Sequence, residues 1–468
     1  MPFVPLPRLA ARRAAAAALA TVAVVASAAA TATATAAPPW EPPTAPQGAP
    51  ATTPALAFNA AGVGVLAGDT GGGASPNAVG PHTVGTLNDD NDAFPGPVSP
   101  LTPTNFALAD RFALYGLTRM VGLGTHFSRT RSRAGMALGN AGDELVDIRL
   151  LGPTDRAGAA EAIAANTRGD IAASFGACAN SACEHQSLYL VIRRAGEEPL
   201  PSIRVDKVAV RQISAVAVNA RGDALIAWQA NGGVFARIRS AGGTLYRTER
   251  LGNPGEPVRA ISAVLTADRA AAVAWEAQSV SEGTPGSPAT VDATYKSAGA
   301  SHHFSSPQRV ATVPALATGH YVGERAVKLV LAPDARITLA WTAYANGRFV
   351  VRVADRKGSQ FRGAQTLSDP AVDAVLADLD AGPASALAVA WRTGVAGVDA
   401  GVGTAGLDAA LRAPGAPAFG PAESVEQGTA ALNAVLRFDP STGRVVAAWN
   451  DLAAIRTSAR APFVAAGD

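Results

Sequence analysis

The sequence predicts an all-β repeat protein, and three observations support this fold class. Apolar runs that end in a large aromatic residue recur along the chain, as in RGDALIAW, DRAAAVAW and GRVVAAW. A short apolar run ending in Asp, Asn, Gly or Pro precedes most of them, which is the pattern of strand, tight turn and strand. An arginine-rich, strand-like run with a glycine-rich turn follows each one. Helical periodicity is missing from the whole region.

The aromatic residue sets the register of the repeats. Five repeats carry a tryptophan, and two earlier ones place another aromatic residue there: Trp228, Trp275, Trp341, Trp391, Trp449, Phe175 and Tyr115. The spacing is a noisy period of about fifty residues, as expected for structural repeats with loop insertions. Each repeat holds three strands and has room for a fourth, so the sequence predicts seven four-stranded units.

The apolar runs before the aromatic residues do not alternate between apolar and polar positions. Both faces of this strand are therefore expected to be covered. Four-stranded sheets stacked around an axis achieve this, because each sheet lies between two neighbours. We predict a seven-bladed β-propeller over residues 105–468. Tandem sandwiches need longer units, and a β-helix needs shorter ones. The tryptophans are expected to be buried packing residues, not platforms for sugars.

The N-terminal region differs in composition from the repeats. Arginines followed by an alanine-rich apolar run predict a signal peptide over residues 1–36, with a retained membrane anchor as the alternative. Residues 37–104 are rich in Pro and Gly, which predicts a largely irregular segment. Its apolar stretch at 55–68 is our candidate for a strand that completes the last blade and closes the ring.

Charge and cysteine content limit the function classes. The formal net charge is +2, so no overall field favours nucleic acid. Thirty-five of the 39 basic residues are arginine, in keeping with the Arg- and Ala-rich composition of the whole chain. The two cysteines, Cys178 and Cys183, are expected to form a local disulfide in an oxidising compartment. A metal site is disfavoured, because a second Cys or His pair is missing.

The repeats over roughly 105–468 resemble those of uncharacterised secreted bacterial β-propeller proteins. Sialidase-type propellers are the natural comparison among enzymes, but their Ser-x-Asp-x-Gly-x-x-Trp pattern is not matched: NARGDALIAW lacks the Ser and the spacing. The patterns typical of WD and kelch repeats are also missing. The resemblance therefore implies a fold and an exported location, and no residue roles follow from it.

Three arginines give the most specific site hypothesis. Arg211, Arg259 and Arg325 stand 17, 16 and 16 residues before their tryptophans, where the first strands of consecutive blades begin. In propellers that strand lines the central channel, so three guanidinium groups could converge on a carboxylate, sulfate or phosphate. The alternative, which the arginine-rich composition favours, is that they are ordinary strand-end residues. The acid at Asp373 interrupts any complete ring of arginines.

Other polar clusters are weaker candidates. His302 and His303 have no obvious third metal ligand nearby in sequence. The acidic run NDDNDAFPG resembles a calcium loop but lacks its spacing and its later Glu, so a solvated charge run is the simpler interpretation.

The sequence thus predicts a secreted or envelope-bound, monomeric recognition module that needs no cofactor and has no membrane span after signal cleavage. Its expected partners are an anionic small molecule, a glycan or an envelope protein. Nucleophile elbows, phosphate loops and zinc-protease helices do not occur, which favours a role other than catalysis. Two alternatives remain: a glycan-active hydrolase or lyase with sialidase-like architecture, and a structural envelope protein.

Overall fold

The structure is a computed structural model. It describes residues 40–45, 54–62, 64–68, 83–87, 99–100, 106–116, 119–127, 132–140, 145, 147–153, 158–178, 185–209, 213–255, 257–278, 288–299, 303–314, 327–394, 406–428, 431–451 and 453–462. They belong to one compact unit, Pro38–Asp468.

The described residues form eight antiparallel sheets, and within each sheet the strands pair in chain order. We number the sheets along the chain. Sheet 1 contains β1 (Ala55–Phe58), β2 (Gly64–Gly68), β3 (Thr83–Leu87) and β4 (Ser99–Pro100). Sheet 2 contains β5 (Phe106–Tyr115), β6 (Arg119–Phe127), β7 (Ser132–Asn140) and β8 (Asp147–Leu150). Sheet 3 contains β9 (Gly158–Ala165), β10 (Ile171–Cys178), β11 (His185–Arg193) and β12 (Ile203–Ala209). Sheet 4 contains β13 (Ser214–Val218), β14 (Ala224–Ala230), β15 (Gly233–Arg239) and β16 (Glu249–Gly252).

The second half of the chain repeats the same arrangement. Sheet 5 contains β17 (Val258–Leu265), β18 (Ala271–Ala277), β19 (Ala289–Lys296) and β20 (Gln308–Val313). Sheet 6 contains β21 (Val327–Leu331), β22 (Ile337–Ala345), β23 (Arg348–Lys357) and β24 (Gln360–Thr366). Sheet 7 contains β25 (Ala374–Ala381), β26 (Leu387–Thr393), β27 (Leu407–Arg412) and β28 (Glu423–Glu426), with a short 3₁₀ turn at Pro383–Ser385. Sheet 8 contains β29 (Leu432–Phe438), β30 (Val445–Asn450) and β31 (Ile455–Arg460).

The first strands of the sheets contact one another in a closed cycle. β1 contacts β5, the contacts continue through β9, β13, β17, β21 and β25 to β29, and β29 contacts β1 again. We call these the inner strands. A closed cycle of eight sheets is the architecture of an eight-bladed β-propeller. The all-β prediction is confirmed, and the predicted count of seven blades is corrected to eight.

The miscount has a physical cause, because two of the sheets lack the aromatic marker. Phe175 and all five repeat tryptophans occupy the fifth position of the second strand. In sheet 2 that position holds Leu123, and Tyr115 instead ends the inner strand. Sheet 1 has no aromatic residue in its second strand, GVLAG, and lies in the segment predicted to be irregular. Aliphatic packing there leaves no pattern that the tryptophan repeat could reveal.

The second strands are buried on both faces, as their unbroken apolar sequences predict. Every residue of β10, β18 and β30 is buried. The tryptophans pack between neighbouring sheets: Trp275 lies in one apolar cluster with residues of sheets 4 and 5, and Trp449 in another with residues of sheets 7 and 8. Burial of this apolar surface stabilises the ring. Platforms for a sugar would have to be exposed, so the packing role is confirmed.

The ring is closed by residues near the N-terminus, but not by those predicted. Residues 55–68 pair with each other as β1 and β2 of sheet 1. The last sheet is completed by the segment 41–44, in which Glu41 N–H donates to Ala459 O (2.8 Å) and Thr44 exchanges two backbone hydrogen bonds with Thr457. This segment, EPPT, contains two prolines and no apolar alternation, so its sequence does not predict a strand.

The inner strands all run in the same direction along the channel. The turn after one inner strand bonds to the turn after the next: the Asn166 side-chain amide donates to Asn219 O (2.8 Å), and that of Asn219 donates to Thr266 O (2.9 Å). All inner strands therefore begin at the opposite end of the channel. We call this the start end, and we call the end where the inner strands stop the finish end. The two ends differ chemically.

Several predictions concern residues outside those that the structure describes. These are the signal peptide at 1–36, the acidic run with Asp89, Asp90 and Asp92, and the presumed disulfide partner Cys183. In the described part of the chain, no helix has the length and apolar character needed to cross a membrane.

Candidate functional site

A cavity of about 580 Å³ lies at the finish end of the channel. The last residues of four neighbouring inner strands, β25, β29, β1 and β5, supply most of its wall. The wall is mainly apolar, with three phenylalanines and three prolines: Phe58, Phe112, Phe438, Pro333, Pro383 and Pro440. Two ionisable side chains interrupt it, Asp380 and Arg437. An apolar pocket with few convergent polar groups is the usual form of a small-molecule site.

Two carboxylates on β25 anchor this part of the channel to the next blade. A bulge between Leu376 and Asp378 shifts the strand register just before them. Asp378 Oδ2 accepts the backbone N–H of Leu436 (3.1 Å), and Asp380 Oδ2 accepts that of Phe438 (2.8 Å). Bulges often redirect side chains beside functional sites. The two acids thus occupy the seam between inner strands β25 and β29.

Asp378 is the buried centre of an ion cluster. Its side chain is 1% exposed, and it pairs with Lys328 Nζ (3.1 Å) from β21 and with Arg437 Nη1 (2.6 Å) from β29. Two cations from the two flanking blades therefore share one buried anion. Removal of one partner would leave a desolvated charge unpaired, which is costly. The cluster is therefore stable only when all three side chains are in place. These three side chains carry one surplus positive charge as long as the neighbouring Asp380 is protonated.

The Asp380 side chain changes between its protonated and ionised forms near pH 6. Burial raises its pKa to about 6, although the Arg437 charge and the Phe438 N–H oppose the shift. The neighbouring Asp378 charge adds to the increase. At pH 5 the group is mainly a neutral hydrogen-bond donor, and at pH 8 it is a carboxylate. Two acids with different protonation states in one site are typical of functional centres.

Arg437 presents unused hydrogen-bonding capacity to the cavity. Its side chain is 32% exposed, so it remains accessible from the channel. Both hydrogen bonds that it donates to described residues come from Nη1, one to Asp378 Oδ2 and one to Leu436 O. Nη2 and Nε are thus left for a ligand. A guanidinium edge with two N–H groups matches a carboxylate in geometry and charge.

The rim of the cavity carries backbone strain. Ala384 and Ser385 have φ values of 50° and 67°, in the left-handed region that non-glycine residues rarely adopt. The Ser385 hydroxyl accepts the backbone N–H of Asp334 from the preceding blade (3.0 Å), which holds the turn. Next to it, Gly382 leaves space for Phe438, since a Cβ there would lie 2.4 Å from the ring. Strained turns of this kind concentrate at ligand sites.

Arg259, the described member of the predicted arginine cluster, lies at the opposite, start end of the channel. Arg211 and Arg325 are outside the described residues, so their convergence with Arg259 stays a prediction. Arg259 is half-buried at the beginning of β17, and its Nε donates to Gln278 O (3.1 Å). Asp373, which interrupts the arginine pattern, accepts Arg348 Nη1 (2.9 Å) and Phe349 N–H (2.8 Å) and so links two blades.

The charge of Arg259 acts on a buried acid, Glu276, which directly follows Trp275 in β18. It is 1% exposed, and within the described residues its Oε2 has no hydrogen-bond partner. Burial raises the pKa of Glu276 to about 8, opposed only by the charge of Arg259. Gln229 holds the same place in sheet 4, where its side chain accepts Val258 N–H from the next blade (3.1 Å). The Glu276 position is therefore part of the packing between blades.

The remaining predicted candidates keep a minor role. His303 is exposed, as predicted, and its Nδ1 lies 3.1 Å from Glu249 Oε2, while His302 lies outside the described residues. Cys178 ends β10, and its bridge to Cys183 stays a prediction. Among the side chains that the structure describes, no group of three or more His, Cys, Asp or Glu could hold a metal ion.

The sequence interpretation missed the charged residues of the finish end, although their signal was present. Charged residues interrupt three inner strands that are otherwise apolar, AVKLVL, AVLADLDA and AVLRF. These residues are Lys328, Asp378, Asp380 and Arg437. A charged side chain in a largely apolar, partly buried strand needs a partner. Because the charges on these strands are opposite in sign, the sequence could have predicted that the strands form ion pairs with one another.

Comparison with known proteins gives only distant structural likenesses. No family model and no curated protein matches the chain. An ulvan lyase, titled a new family of polysaccharide lyase, is 9% identical, with 88% of this chain and 94% of that one covered and a TM-score of 0.44. A protein of unknown function from Dyadobacter fermentans is 11% identical over 65% of this chain and 94% of its own, with a TM-score of 0.34. An α-L-arabinofuranosidase from Fusarium graminearum is 9% identical over 68% and 96%, with a TM-score of 0.33. At these TM-scores the likenesses assign no activity to this chain.

Proposed function

We propose that this protein is an exported recognition module that binds a small carboxylate-bearing sugar in the cavity at the finish end of the channel. The observation that supports this proposal is the pairing of an accessible guanidinium edge, on Arg437, with a titratable carboxyl, on Asp380, in an otherwise apolar wall. Arg437 pairs with the ligand carboxylate, and Asp380 bonds a hydroxyl. The phenylalanine and proline faces cover the C–H faces of the sugar ring.

Charge explains why an anion is preferred over a neutral ligand. Lys328 and Arg437 together exceed the charge of Asp378, so the cluster is positive whenever Asp380 is protonated. Ionisation of Asp380 removes that surplus. Because its pKa is about 6, the affinity for an anion should fall as the pH rises through 6. A purely structural envelope protein has no need for a charged, accessible cavity of this kind.

A glycan-active enzyme is the second candidate, and Asp380 is the observation that favours it. Asp378 is unsuited to direct catalysis, since it is buried and both oxygens are engaged by Lys328, Arg437 and backbone N–H groups. Glycoside hydrolysis uses two accessible carboxyl groups, and among the described residues of this cavity wall Asp380 alone provides one. A lyase fits better: ionised Asp380 takes the proton α to a uronate carboxylate that Arg437 neutralises. The C–H electrons form the new C=C bond as the neighbouring C–O bond breaks, and the departing oxygen keeps that bond's electron pair and takes a proton from water.

Calorimetric titration with glucuronate, acetate and glucose at pH 5 tests the binding proposal. We expect glucuronate to bind, acetate to bind more weakly and glucose not to bind. Arg437→Lys keeps a cation beside Asp378 but removes the planar edge, so it should weaken glucuronate binding about tenfold or more. Arg362→Lys is the matched control, because Arg362 is exposed and bonds only Gln360 among the described residues.

Asp380→Asn separates the two candidates. The Asn side chain still accepts Phe438 N–H, but it cannot remove a proton. If the protein is a lyase, wild type releases an unsaturated product from polyuronates, detected by ultraviolet absorbance, and the variant does not. If it only binds, neither protein forms product, and the variant binds glucuronate at pH 7.5 at least as well as wild type.

A further inference from the structure

A second cavity, of about 140 Å³, lies in the groove between sheets 4 and 5, away from the channel. Its walls come from β15, β19 and the segment that leads into β16. Its lining includes four cationic side chains, one acid and one histidine: Arg237, Arg247, Arg269, Lys296, Glu249 and His303. Four cations and one acid therefore face a small volume.

The acids in and around the groove do not balance these cations. Glu249 is already engaged, since its Oε2 accepts the Phe304 N–H and lies 3.1 Å from His303 Nδ1. Arg269 is paired outside the cavity with Asp223 at 2.8 Å. Arg237 and Arg247 have no carboxylate within salt-bridge distance among the described residues. The local charge of the cavity therefore stays positive.

Lys296 is the most unusual member of the set. It is 3% exposed, and among the described residues its Nζ donates to carbonyl oxygens, with the shortest contact to Gly299 O (2.5 Å). Burial lowers the pKa of Lys296, and the charges of Glu249 and Asp268 only partly oppose this. A buried ammonium without an anion is costly. The site would gain stability from an external anion.

In two other blades the equivalent position carries its own anion. Lys296 ends the third strand of sheet 5, opposite the first residue of the second strand. Arg412 and Arg460 hold the same register in sheets 7 and 8. Arg412 pairs with Asp355 at 2.8 Å, and Arg460 pairs with Glu423 at 2.6 Å, each on the preceding sheet. In sheet 4 the residue in the register of Glu423 is Glu249. Its Oε2 bonds Phe304 N–H and lies beside His303, so among the described residues no ion pair joins it to Lys296.

We propose that this groove binds a tetrahedral oxyanion, a phosphate or sulfate group, either as the free ion or as the ester of a larger molecule. Cations approach the cavity from separate strands, which suits an anion with four oxygens pointing in different directions. A carboxylate has two coplanar oxygens and is satisfied by a single guanidinium edge. The small volume also favours a compact ion over a sugar ring.

Titration of the full-length protein with inorganic phosphate, sulfate, acetate and glucose 6-phosphate tests the proposal. Arg247→Ala is the first variant, because Arg247 is exposed and makes no hydrogen bond to described residues, so the fold should not depend on it. Arg250→Ala, three residues along the same segment and also exposed, is the matched control. Lys296→Met removes the buried cation, and its unfolding curve shows whether it still folds.

We expect phosphate and sulfate to bind more tightly than acetate. Arg247→Ala and Lys296→Met should each weaken that binding about tenfold or more, while Arg250→Ala and the channel variant Arg437→Lys leave it unchanged. Binding of the free ions without glucose 6-phosphate indicates an enclosed ion, and binding of both indicates an ester at the groove mouth. The proposal is overturned if wild type binds neither phosphate nor sulfate, or if Arg247→Ala and Arg250→Ala change binding equally.

Discussion

Two carboxyl groups with raised pKa values lie at opposite ends of the inner strands, and only one of them faces open volume. Glu276, at the start end, is enclosed between blades, with a pKa of about 8. Asp380, at the finish end, has a pKa of about 6 and lines a cavity of about 580 Å³ beside Arg437. The larger pKa shift thus belongs to Glu276, which is enclosed and cannot contact a ligand. A raised pKa reports burial, while a cavity and an accessible cation distinguish a binding site.

The largest effect is expected from removing the anion that holds the finish end together. Asp378→Ala leaves Lys328 and Arg437 side by side without their shared carboxylate. We expect a loss of about 3–5 kcal/mol in the free energy of unfolding, measured by denaturant titration. Asp334→Ala is the control, because Asp334 and Arg336 form a pair nearer the surface that contributes at most about 1 kcal/mol. Equal losses in both variants would contradict the ion cluster.

Glu276 predicts a pH dependence of stability with a defined sign. Its pKa is 4.5 in the unfolded chain and about 8 in the native protein, so the native state binds more protons between these values. Stability should therefore fall as the pH rises from about 4.5 to 8. Glu276→Gln should remove this component and stabilise the protein at pH 9 relative to wild type. Unfolding curves at pH 5 and pH 9 measure it, with the exposed Glu197→Gln as control.

Asp380→Asn should show the same sign with a smaller magnitude. The pKa rises only from 3.8 to about 6, so the loss of stability is confined to that pH window. Above this window, Asp380→Asn should be more stable than wild type. The gain in stability should be smaller than the gain that Glu276→Gln produces. A larger gain for Asp380→Asn than for Glu276→Gln would mean that the finish end is the more enclosed of the two.

The smallest effect is expected from Arg259→Ala. The charge of Arg259 lowers the pKa of Glu276, so its removal should shift the pH window of Glu276 slightly upward. Arg259 is half-buried, so solvent screening keeps this change below about 1 kcal/mol. Glucuronate binding should stay at the wild-type level, since the cavity lies at the other end of the channel. A loss of binding in this variant would move the ligand site to the predicted arginine cluster.

The sequence predicted the parts of the fold that repeat. The run ALIAW, ending in Trp228, is unbroken apolar, as expected for a strand covered on both faces, and the structure confirms its burial. Sheet 1 was missed because GVLAG has no aromatic residue. The closing segment 41–44 was missed because its pairing depends on a few backbone hydrogen bonds, which leave no side-chain pattern.

The candidate site was harder to predict than the fold. Lys328, Asp378 and Arg437 lie about fifty residues apart in sequence, and they meet because successive inner strands are neighbours in the ring. The isolated charges in apolar strands were visible, but their meeting point depends on register. The bulge before Asp378 sets that register, and no residue pattern in AVLADLDA reveals it.

Titration with glucuronate at pH 5 and pH 7.5 tests the central claim most directly, with wild type, Arg437→Lys and Asp380→Asn compared under the same conditions. We expect wild type to bind more tightly at pH 5 by about tenfold, the effect of one nearby charge in a partly buried site. Arg437→Lys should weaken binding at both pH values, and Asp380→Asn should bind equally at both. Wild-type affinity that is unaffected by pH and by Arg437→Lys would contradict the central claim.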